Sequence, residues 1–287
     1  MQLDLFGNTR YRVNLHTHTT LSDGAATPEE AIECYRAEGY DALALTDHWA
    51  FGKSKVAENG LLLLSGIEYD TKTTTKEGLF HIVGIGMRKD PCLPLDATVQ
   101  EMIDGIKREG GFAVLAHPAW SLNTPEQILP LKNVDATEIY NTVSAVHMSR
   151  RPDSSLIVDM LGAQGRLYSL LASDDTHYYD NDACVCWVMV QAEACTQEKI
   201  LEALWRGDFY STQGPEVHLH REGEEFVVTC SPCSEILFLS DRQWARRVFV
   251  GDGLTKAYYT PHENETFVRV QVTDENGRMA WTNPIKI

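Results

Sequence analysis

The stretch that sets the expected fold is residues 12–48, with the sequence RVNLHTHTTLSDGAATPEEAIECYRAEGYDALALTDH. It opens on a short apolar run and closes on a second one at residues 42–45. Between these runs, Thr27-Pro28-Glu29-Glu30 has the residues of a helix start: an N-cap threonine, a proline at the first helical position and acidic side chains in the first turn. Gly39 marks the end of that helix. The stretch therefore predicts a strand, a helix and a second strand, which is the unit of a parallel sheet.

The same alternation of apolar runs and helix-like segments continues to about residue 210. Thr98 and Thr196 stand before two further helix-like segments, and Gly110 and Gly207 follow them. The apolar runs lie at residues 12–15, 42–45, 61–67, 80–85, 112–116, 134–139 and 167–172. Because seven such units favour closure of the sheet, we predict an α/β fold with a seven-stranded (β/α) barrel.

After Gly214-Pro215 the pattern changes. Residues 217–287 consist of short alternating runs, which are separated by turn signals such as Glu222-Gly223 and Glu275-Asn276-Gly277. No helix-like segment remains there. We therefore predict two units, a barrel over residues 1–214 and a small antiparallel β module over residues 215–287.

The composition is that of an ordinary globular chain of 287 residues, 43% hydrophobic and 23% charged. No apolar run is long enough to span a bilayer, and residues 1–12 lack the apolar core of a signal peptide, so we expect a cytoplasmic protein without membrane contact. The net charge of −16 disfavours non-specific binding of nucleic acid. Bound divalent cations would offset that charge locally, so a small anionic substrate is compatible with it.

The cysteines do not suggest a disulfide framework. There are seven of them, an odd number, and they are scattered along the chain, as in proteins of a reducing compartment. Cys230-Ser231-Pro232-Cys233 is a single C-x-x-C without a second pair, which is a weak signal for structural zinc.

The residues that carry chemistry begin with His16-Thr17-His18, at the end of the first predicted strand. Side chains at positions i and i+2 of a strand project to the same side, so both imidazoles can point into the mouth of the barrel and chelate one metal ion. An H-x-H pair alone is a weak signal. The chain contains another one, His218-Leu219-His220, in the β module, where no comparable set of carboxylates accompanies it.

The first pair is a stronger signal because further candidate ligands occur at equivalent positions, at the ends or starts of other predicted strands. Active sites of such barrels assemble from strand-to-helix junctions, so residues that are distant in sequence converge. Imidazoles with carboxylates and without thiolates suit zinc, manganese or iron at more than one site. The further candidates at or near the junctions are Asp23, Asp47-His48, Glu68, His81, His117-Pro118, Asp174-Asp175 and His177.

In their order and spacing these motifs resemble those of PHP (polymerase and histidinol phosphatase) domains, over roughly residues 12–214. The resemblance implies a distorted seven-stranded (β/α) barrel with three divalent metal ions. Carried over by position, it implies that His16, His18, Glu68 and Asp175 hold the first metal. It implies that Glu68, as a bridge, holds the second with His81 and His117, and that Asp23, His48 and His177 hold the third. Asp174 is the neighbouring alternative to Asp175, which we favour.

Beyond Gly214 the chain resembles a narrower branch, the bacterial PHP-type metallohydrolases related to carbaryl hydrolase (CehA-like). The residues that carry this resemblance are Phe209–Pro215, Cys230-Ser231-Pro232 and Trp281–Ile285. Carbaryl is a carbamate ester, so this branch raises an alternative to phosphate chemistry.

We therefore predict a metal-dependent hydrolase of a small phosphoester, of nucleotide or sugar-phosphate type. A hydroxide that bridges the first two metals would attack phosphorus, with Glu68, Asp175 and His177 closest to the reaction. One alternative is a carboxyl or carbamate ester hydrolase that uses the same site. The other is a non-catalytic PHP scaffold, which predicts missing ligands.

Substrate contacts are expected from basic residues in the loops above the barrel. Arg150 and Arg151 are the preferred candidates for contact with the substrate. Further candidates are Lys53, Lys55, Lys72 and Lys76. Asp47 and Asp174 are expected either to fix an imidazole tautomer or to cap strand ends. The expected partner is a small ester, and a homo-oligomer is compatible with the sequence.

Overall fold

The structure, a computed structural model, describes residues 1–71 and 78–287, so the predicted contacts Lys72 and Lys76 lie outside the described residues. The helices in the described part are α1 (Pro28–Ala37), α2 (Val99–Arg108), α3 (Pro118–Ser121), α4 (Pro125–Ile128), α5 (Thr142–Val146), α6 (Ser155–Gly162) and α7 (Gln197–Arg206). The first strands are β1 (Gln2–Leu3), β2 (Thr9–Asn14), β3 (Ala42–Ala44), β4 (Lys55–Val56), β5 (Leu62–Leu64), β6 (Gly66–Asp70), β7 (His81–Ile85), β8 (Phe112–Leu115), β9 (Ala136–Asn141) and β10 (Ser169–Ser173). The remaining strands are β11 (Trp187–Gln191), β12 (Phe209–Thr212), β13 (Val217–Glu222), β14 (Glu225–Leu239), β15 (Val248–Tyr259), β16 (Phe267–Thr273), β17 (Met279–Thr282) and β18 (Ile285–Lys286).

The helix starts predicted from the sequence are confirmed. The Thr27 hydroxyl accepts a hydrogen bond from the backbone N–H of Glu30, whose carboxylate accepts one from the backbone N–H of Thr27, so α1 begins with a capping box. The same reciprocal pair joins Thr98 and Glu101 at the start of α2. Helix α7 ends at Arg206 and is capped by Gly207, whose φ of 74° lies in the left-handed region that glycine adopts without a steric penalty.

The strands form two hydrogen-bonded sheets, so the prediction of one closed parallel ladder is not confirmed. The first sheet runs β13-β14-β16-β17-β12-β11-β2-β3-β5-β4, and β1, β15 and β18 pair at its sides. The second runs β10-β9-β8-β7-β6. Pairs β2–β3, β3–β5, β8–β9 and β9–β10 are parallel, whereas β6–β7, β7–β8 and β2–β11 are antiparallel.

Two local features explain this departure from an all-parallel barrel. Residues 71–80 alone connect β6 to β7, fewer than the dozen or so that a parallel crossover needs, so these strands run antiparallel. The run predicted as one strand at residues 61–67 is divided at Ser65 into β5 and β6, which belong to different sheets. The Ser65 hydroxyl donates to the Met87 carbonyl, which is 2.7 Å away, and this bond fixes the break.

The two sheets nevertheless share one core, and their strand ends meet. A buried cluster combines Val13 and Leu62 of the first sheet with Val114 and Leu171 of the second. At the carboxyl ends of the strands, isolated bridges join Thr17 to Thr176 and His48 to Glu68. The ends of β2 and β3 are therefore held against the end of β10 and against β6, which brings the candidate ligands together.

The C-terminal strands continue the first sheet, because β17 pairs with β12. They also have an apolar core of their own, in which Phe226, Phe238 and Val270 pack with Met189 and Tyr210 from β11 and β12. Strands β14 and β15 are longer than the short runs expected there. The division of the chain at residue 214 stays a prediction.

Within residues 1–71 and 78–287, none of the helices has the length and apolar character needed to span a membrane.

Candidate metal centre

Four donor atoms converge at the junction of the two sheets: Nε2 of His16, Nε2 of His18, Oε2 of Glu68 and Oδ1 of Asp175. His16 Nε2 lies 3.3 Å from the Glu68 oxygen and 3.1 Å from the Asp175 oxygen. His18 Nε2 lies 3.0 Å and 3.1 Å from the same two atoms, and the two imidazole nitrogens are 3.2 Å apart. Ligands around a tetrahedral ion lie roughly 3.4 Å apart when each bond is about 2.1 Å. The spacing of these four atoms is therefore close to that of a first coordination shell.

Burial and hydrogen bonding at this group fit a cation. All four side chains are buried. Oδ1 of Asp175 is enclosed by protein and has no hydrogen-bond partner, and the same holds for Nδ1 of His48 beside it. An enclosed carboxylate oxygen without a donor is costly unless a cation faces it. The donor set fits a divalent metal at this place.

Glu68 joins this first group to a second one. Its Oε1 lies 3.0 Å from Nδ1 of His81 and 3.5 Å from Nε2 of His117. Its Oε2 lies 3.3 Å from Nδ1 of His48. The structure thus gathers both imidazoles that the resemblance implied for the second metal around Glu68, and adds His48, which the resemblance implied for the third.

A third group surrounds Asp23. Its carboxylate lies 3.4 Å from Nδ1 of His18, 3.5 Å from Nε2 of His177 and 3.8 Å from Nε2 of His48. Nδ1 of His177 donates to the Asp175 carbonyl, 2.7 Å away, which leaves Nε2 with a lone pair toward Asp23. All nine predicted metal-ligand positions therefore lie in one continuous cluster.

The electrostatics of the cluster are those of tightly paired opposite charges. Burial alone would lower the pKa of His16, but the carboxylates of Asp175, Glu68 and Glu138 outweigh it and raise that pKa well above its usual range. Burial alone would raise the pKa of Asp23, but hydrogen bonds and charge from His177 and His18 bring it well below its usual range. Metal binding replaces such protons, because ligating imidazoles must be neutral.

Two of the candidate ligands have a backbone conformation that is rare outside glycine. The φ angle is 52° at Asp175 and 28° at His117. Each is held by a hydrogen bond of its own backbone N–H: Asp175 donates to the His16 carbonyl at 3.0 Å, and His117 donates to Glu138 at 2.9 Å. Such conformations cost on the order of 1–3 kcal/mol and concentrate at functional sites.

Glu138 on β9 is a site residue that the sequence prediction missed. Its Oε1 lies 2.7 Å from Nδ1 of His16 and accepts the Ser173 hydroxyl. Its Oε2 accepts from the backbone N–H of His117 and from the side-chain amide of Asn141, both at 2.9 Å. The available signal was an acidic residue next to the end of the apolar run 134–139, a position that is buried when the run forms a strand.

Asp174 and Asp47 hold loops and make no described hydrogen bond to an imidazole. Asp174 accepts from the backbone N–H groups of Cys184, Val185 and Cys186 at 2.8, 3.0 and 2.8 Å. Burial raises the pKa of Asp174 to about 6 in spite of these bonds. Asp47 accepts from the backbone N–H and the hydroxyl of Thr19, at 2.7 and 2.8 Å. Of the two adjacent aspartates, Asp175 is the one that faces the cluster.

Asp182 is the second residue near the cluster that the sequence prediction missed, and it also holds a loop. It accepts from the backbone N–H groups of His177 and Tyr178, both at 2.8 Å, and from that of Tyr179 at 2.7 Å. It thereby fixes the turn that carries His177. No motif in the sequence distinguished it from other loop aspartates.

A cavity of about 220 Å³ opens over the cluster. Arg150, Arg151 and Lys53 are exposed, and none of the three lines it. Arg151 contacts the carbonyl of Trp120, a lining residue, through Nη2 at 3.5 Å, and the backbone N–H of Arg150 donates to the carbonyl of Ser144, another lining residue, at 3.0 Å. The prediction that these three residues contact the substrate gains no support from the geometry.

The two weaker motifs lie outside the cluster. The thiols of Cys230 and Cys233 are buried, 3.6 Å apart, and belong to none of the candidate metal groups of the described residues. His218 pairs with Glu216 at 2.5 Å and lies 3.3 Å from Nη2 of Arg10, so a cation already faces that group. His220 pairs with the neighbouring Glu222 at the surface.

Imidazoles and carboxylates that converge at the strand ends of an α/β fold define a candidate multinuclear metal centre. The PHP domain family model matches residues 14–160, which is half of the chain and contains seven of the nine candidate ligands. This chain belongs to the PHP domain family.

Individual relatives match over shorter stretches. A 3′,5′-nucleoside bisphosphate phosphatase of Chromobacterium violaceum is 37% identical over 99 residues, which is 32% of this chain and 33% of that protein. A 5′-3′ exoribonuclease of Escherichia coli is 35% identical over 89 residues, which is 28% of this chain and 30% of that protein. The chain thus matches only about a third of the length of these curated relatives.

One solved structure matches the whole chain. It is a two-domain protein from Bacteroides vulgatus, described as containing a predicted PHP-like metal-dependent phosphoesterase. The match has a TM-score of 0.56 with 16% identity, and it covers 100% of this chain and 97% of that one. At this identity the likeness concerns the fold.

Proposed function

We propose that this protein is a metal-dependent hydrolase of a small phosphoester and that its site holds three divalent ions. The observation that carries the proposal is the convergence of His16, His18, Glu68 and Asp175, with donor atoms 3.0–3.3 Å apart. Family membership favours phosphorus over carbon as the reacting centre, and so do the two relatives, a bisphosphate phosphatase and an exoribonuclease.

We assign the ligands to three overlapping groups. The first is His16, His18, Glu68 and Asp175, the second is Glu68, His81, His48 and His117, and the third is Asp23, His177, His18 and His48. Oε2 of Glu68 lies in the first group and its Oε1 faces His81 and His117 of the second, so Glu68 would be the carboxylate that the two groups share. Bound divalent ions supply Lewis acidity and lower the pKa of water, which makes a nucleophile available near neutral pH.

Other groups of the protein would orient two of the imidazoles for metal binding. The Asp175 carbonyl fixes the tautomer of His177, and Glu138 fixes that of His16. Glu68, Asp175 and His177 are among the candidate ligands that line the cavity, and we propose that these three lie closest to a bound ester.

The test combines metal analysis with a substrate screen. We expect purified protein to contain zinc, manganese or iron and to hydrolyse p-nitrophenyl phosphate or its bis-ester. Asp175→Asn, which keeps the side-chain shape, should lose both metal and activity. Metal-loaded protein that hydrolyses neither phosphate ester would contradict the proposal.

A second candidate is hydrolysis of a carboxyl or carbamate ester. The observation in its favour is that no lysine or arginine among the described residues lines the cavity, which suits a neutral substrate. A naphthyl carbamate in the same screen separates the two, because exclusive turnover of the carbamate would replace the phosphate assignment. The scaffold alternative predicted missing ligands, and all nine positions are filled.

A further inference from the structure

The cavity over the cluster is lined by two unlike sets of side chains. One set consists of the candidate ligands. The other is Trp120, Val143 and Met148, with Ser144 between the last two. The Ser144 hydroxyl already donates to Oδ1 of Asn141, 2.7 Å away. Val143 is only 2% exposed, so Trp120 and Met148 supply most of the accessible surface of this second set, and the contact that it offers a substrate is mainly apolar.

Trp120 is held in place by the candidate ligands themselves. It lies on α3, which begins directly after His117. Its ring centre is 4.9 Å from that of His117 and 5.6 Å from that of His81, and the ring planes are close to perpendicular in both pairs. Edge-to-face packing of this kind fixes the indole relative to two imidazoles of the site. Trp120 is only half-buried, so part of the ring stays available to a ligand.

We infer that the site accepts a phosphoester whose leaving group carries a single apolar ring, and that Trp120, Val143 and Met148 form the surface that binds this ring. The inference deepens the proposed function and rests on it. It narrows the substrate class, because this surface offers the several hydroxyls of a sugar phosphate fewer hydrogen-bond partners than the water that they would lose.

The size of the cavity agrees with this class. An apolar cavity of about 150 Å³ is known to hold a benzene molecule. The cavity here is about 220 Å³, which is large enough to admit one ring. Met148 is the exposed apolar residue of the lining, at 41%.

The test compares benzyl phosphate with ethyl phosphate and with cyclohexylmethyl phosphate on the metal-loaded enzyme. All three release alkoxides, so a difference in rate reports binding of the ring more than acidity of the leaving group. Burial of a ring the size of a phenylalanine side chain corresponds to about 10- to 100-fold in kcat/KM, and we expect the benzyl ester to exceed the ethyl ester by that factor, mostly through KM. The cyclohexylmethyl ester should lie between them, since it offers apolar area without aromatic contact.

The variants assign this preference to the ring of Trp120. Trp120→Ala should remove most of the preference, and Trp120→Phe should retain part of it. Trp244→Ala is the matched control, because Trp244 is 89% exposed in the connection between β14 and β15 and its loss should leave the preference unchanged. Metal content is measured for each variant, so that a general loss of the site is recognised.

Titration calorimetry with benzylphosphonate and ethylphosphonate gives a readout independent of turnover. Equal hydrolysis of the benzyl and ethyl esters, or a preference that survives in a fully metal-loaded Trp120→Ala, overturns the inference and leaves the proposed function standing. Hydrolysis of none of the esters counts against the proposed function. In that case tighter binding of benzylphosphonate that is lost in Trp120→Ala supports the inference, and equal binding of the two phosphonates overturns it.

Discussion

The carboxylate of Glu138 lies 2.7 Å from Nδ1 of His16, and both side chains are only 1% exposed. This contact makes Nδ1 the protonated nitrogen of His16 when the ring is neutral. Nε2 then carries the lone pair that can bind a metal, on the side of the ring that faces Glu68 and Asp175. A carboxylate behind a ligating imidazole fixes the ring and raises its basicity.

Glu138→Gln is therefore expected to weaken metal binding by about 10- to 100-fold without unfolding the protein. Competition with a fluorescent chelator measures the affinity. Glu198→Gln, the same chemical change at an exposed position of α7, serves as the control and should bind metal as the wild type does. Unchanged affinity in Glu138→Gln would show that the contact does not orient His16 for metal binding.

The adjacent aspartates should respond differently to the same substitution. In Asp174→Asn, either orientation of the new amide turns an N–H donor toward backbone N–H groups of residues 184–186, so we expect a loss of about 1–3 kcal/mol in the free energy of unfolding. Asp175→Asn should instead abolish metal binding at the first group. Urea denaturation and metal analysis of both variants provide the comparison. Greater loss of metal in Asp174→Asn than in Asp175→Asn would reverse the assignment.

Gly24 is the residue that allows the loop of Asp23 to approach His18. A Cβ at this position would lie 2.5 Å from the backbone carbon and oxygen of His18, so Gly24→Ala must shift the main chain and move Asp23. We expect it to lose the ion of the third group, measured as a lower metal-to-protein ratio. Gly251→Ala is the control, because the added carbon meets only ordinary contacts of 3.4 Å or more. A full metal complement in Gly24→Ala would contradict this role.

The candidate ligands could be proposed from the sequence because each is marked by its immediate neighbours in the chain. A histidine or aspartate directly after an apolar run lies at a strand end, and the spacing in His16-Thr17-His18 places two donors on one side of the chain. The helix starts at Thr27 and Thr98 were predictable for the same reason, since a capping box involves residues only three positions apart.

The features that could not be predicted from the sequence depend on contacts between residues that are far apart in the chain. The break at Ser65 is fixed by a hydrogen bond to Met87, and the role of Glu138 depends on its contact with His16, 122 positions earlier in the chain. The sharing of His48 between two groups follows from how β3 meets β6. None of these relationships has a periodic or compositional signature.

Metal binding should stabilise the fold. Asp175 Oδ1 and Nδ1 of His48 lack hydrogen-bond partners, and bound ions would face them in the folded state only. At a free metal concentration about 100 times the dissociation constant, the expected gain is about 2.7 kcal/mol. Thermal unfolding with and without a chelator measures it as a shift in Tm, which should be much smaller in Asp175→Asn. An equal Tm shift in that variant would place the stabilising ion elsewhere.

The most direct test of the central claim is the number of divalent ions bound per chain, measured by elemental analysis after reconstitution with zinc, manganese or iron and removal of free metal. The overlapping donor groups predict three ions per chain in the wild type and a lower number in Asp175→Asn. A wild-type protein that retains no ion with any of the three metals would contradict the account.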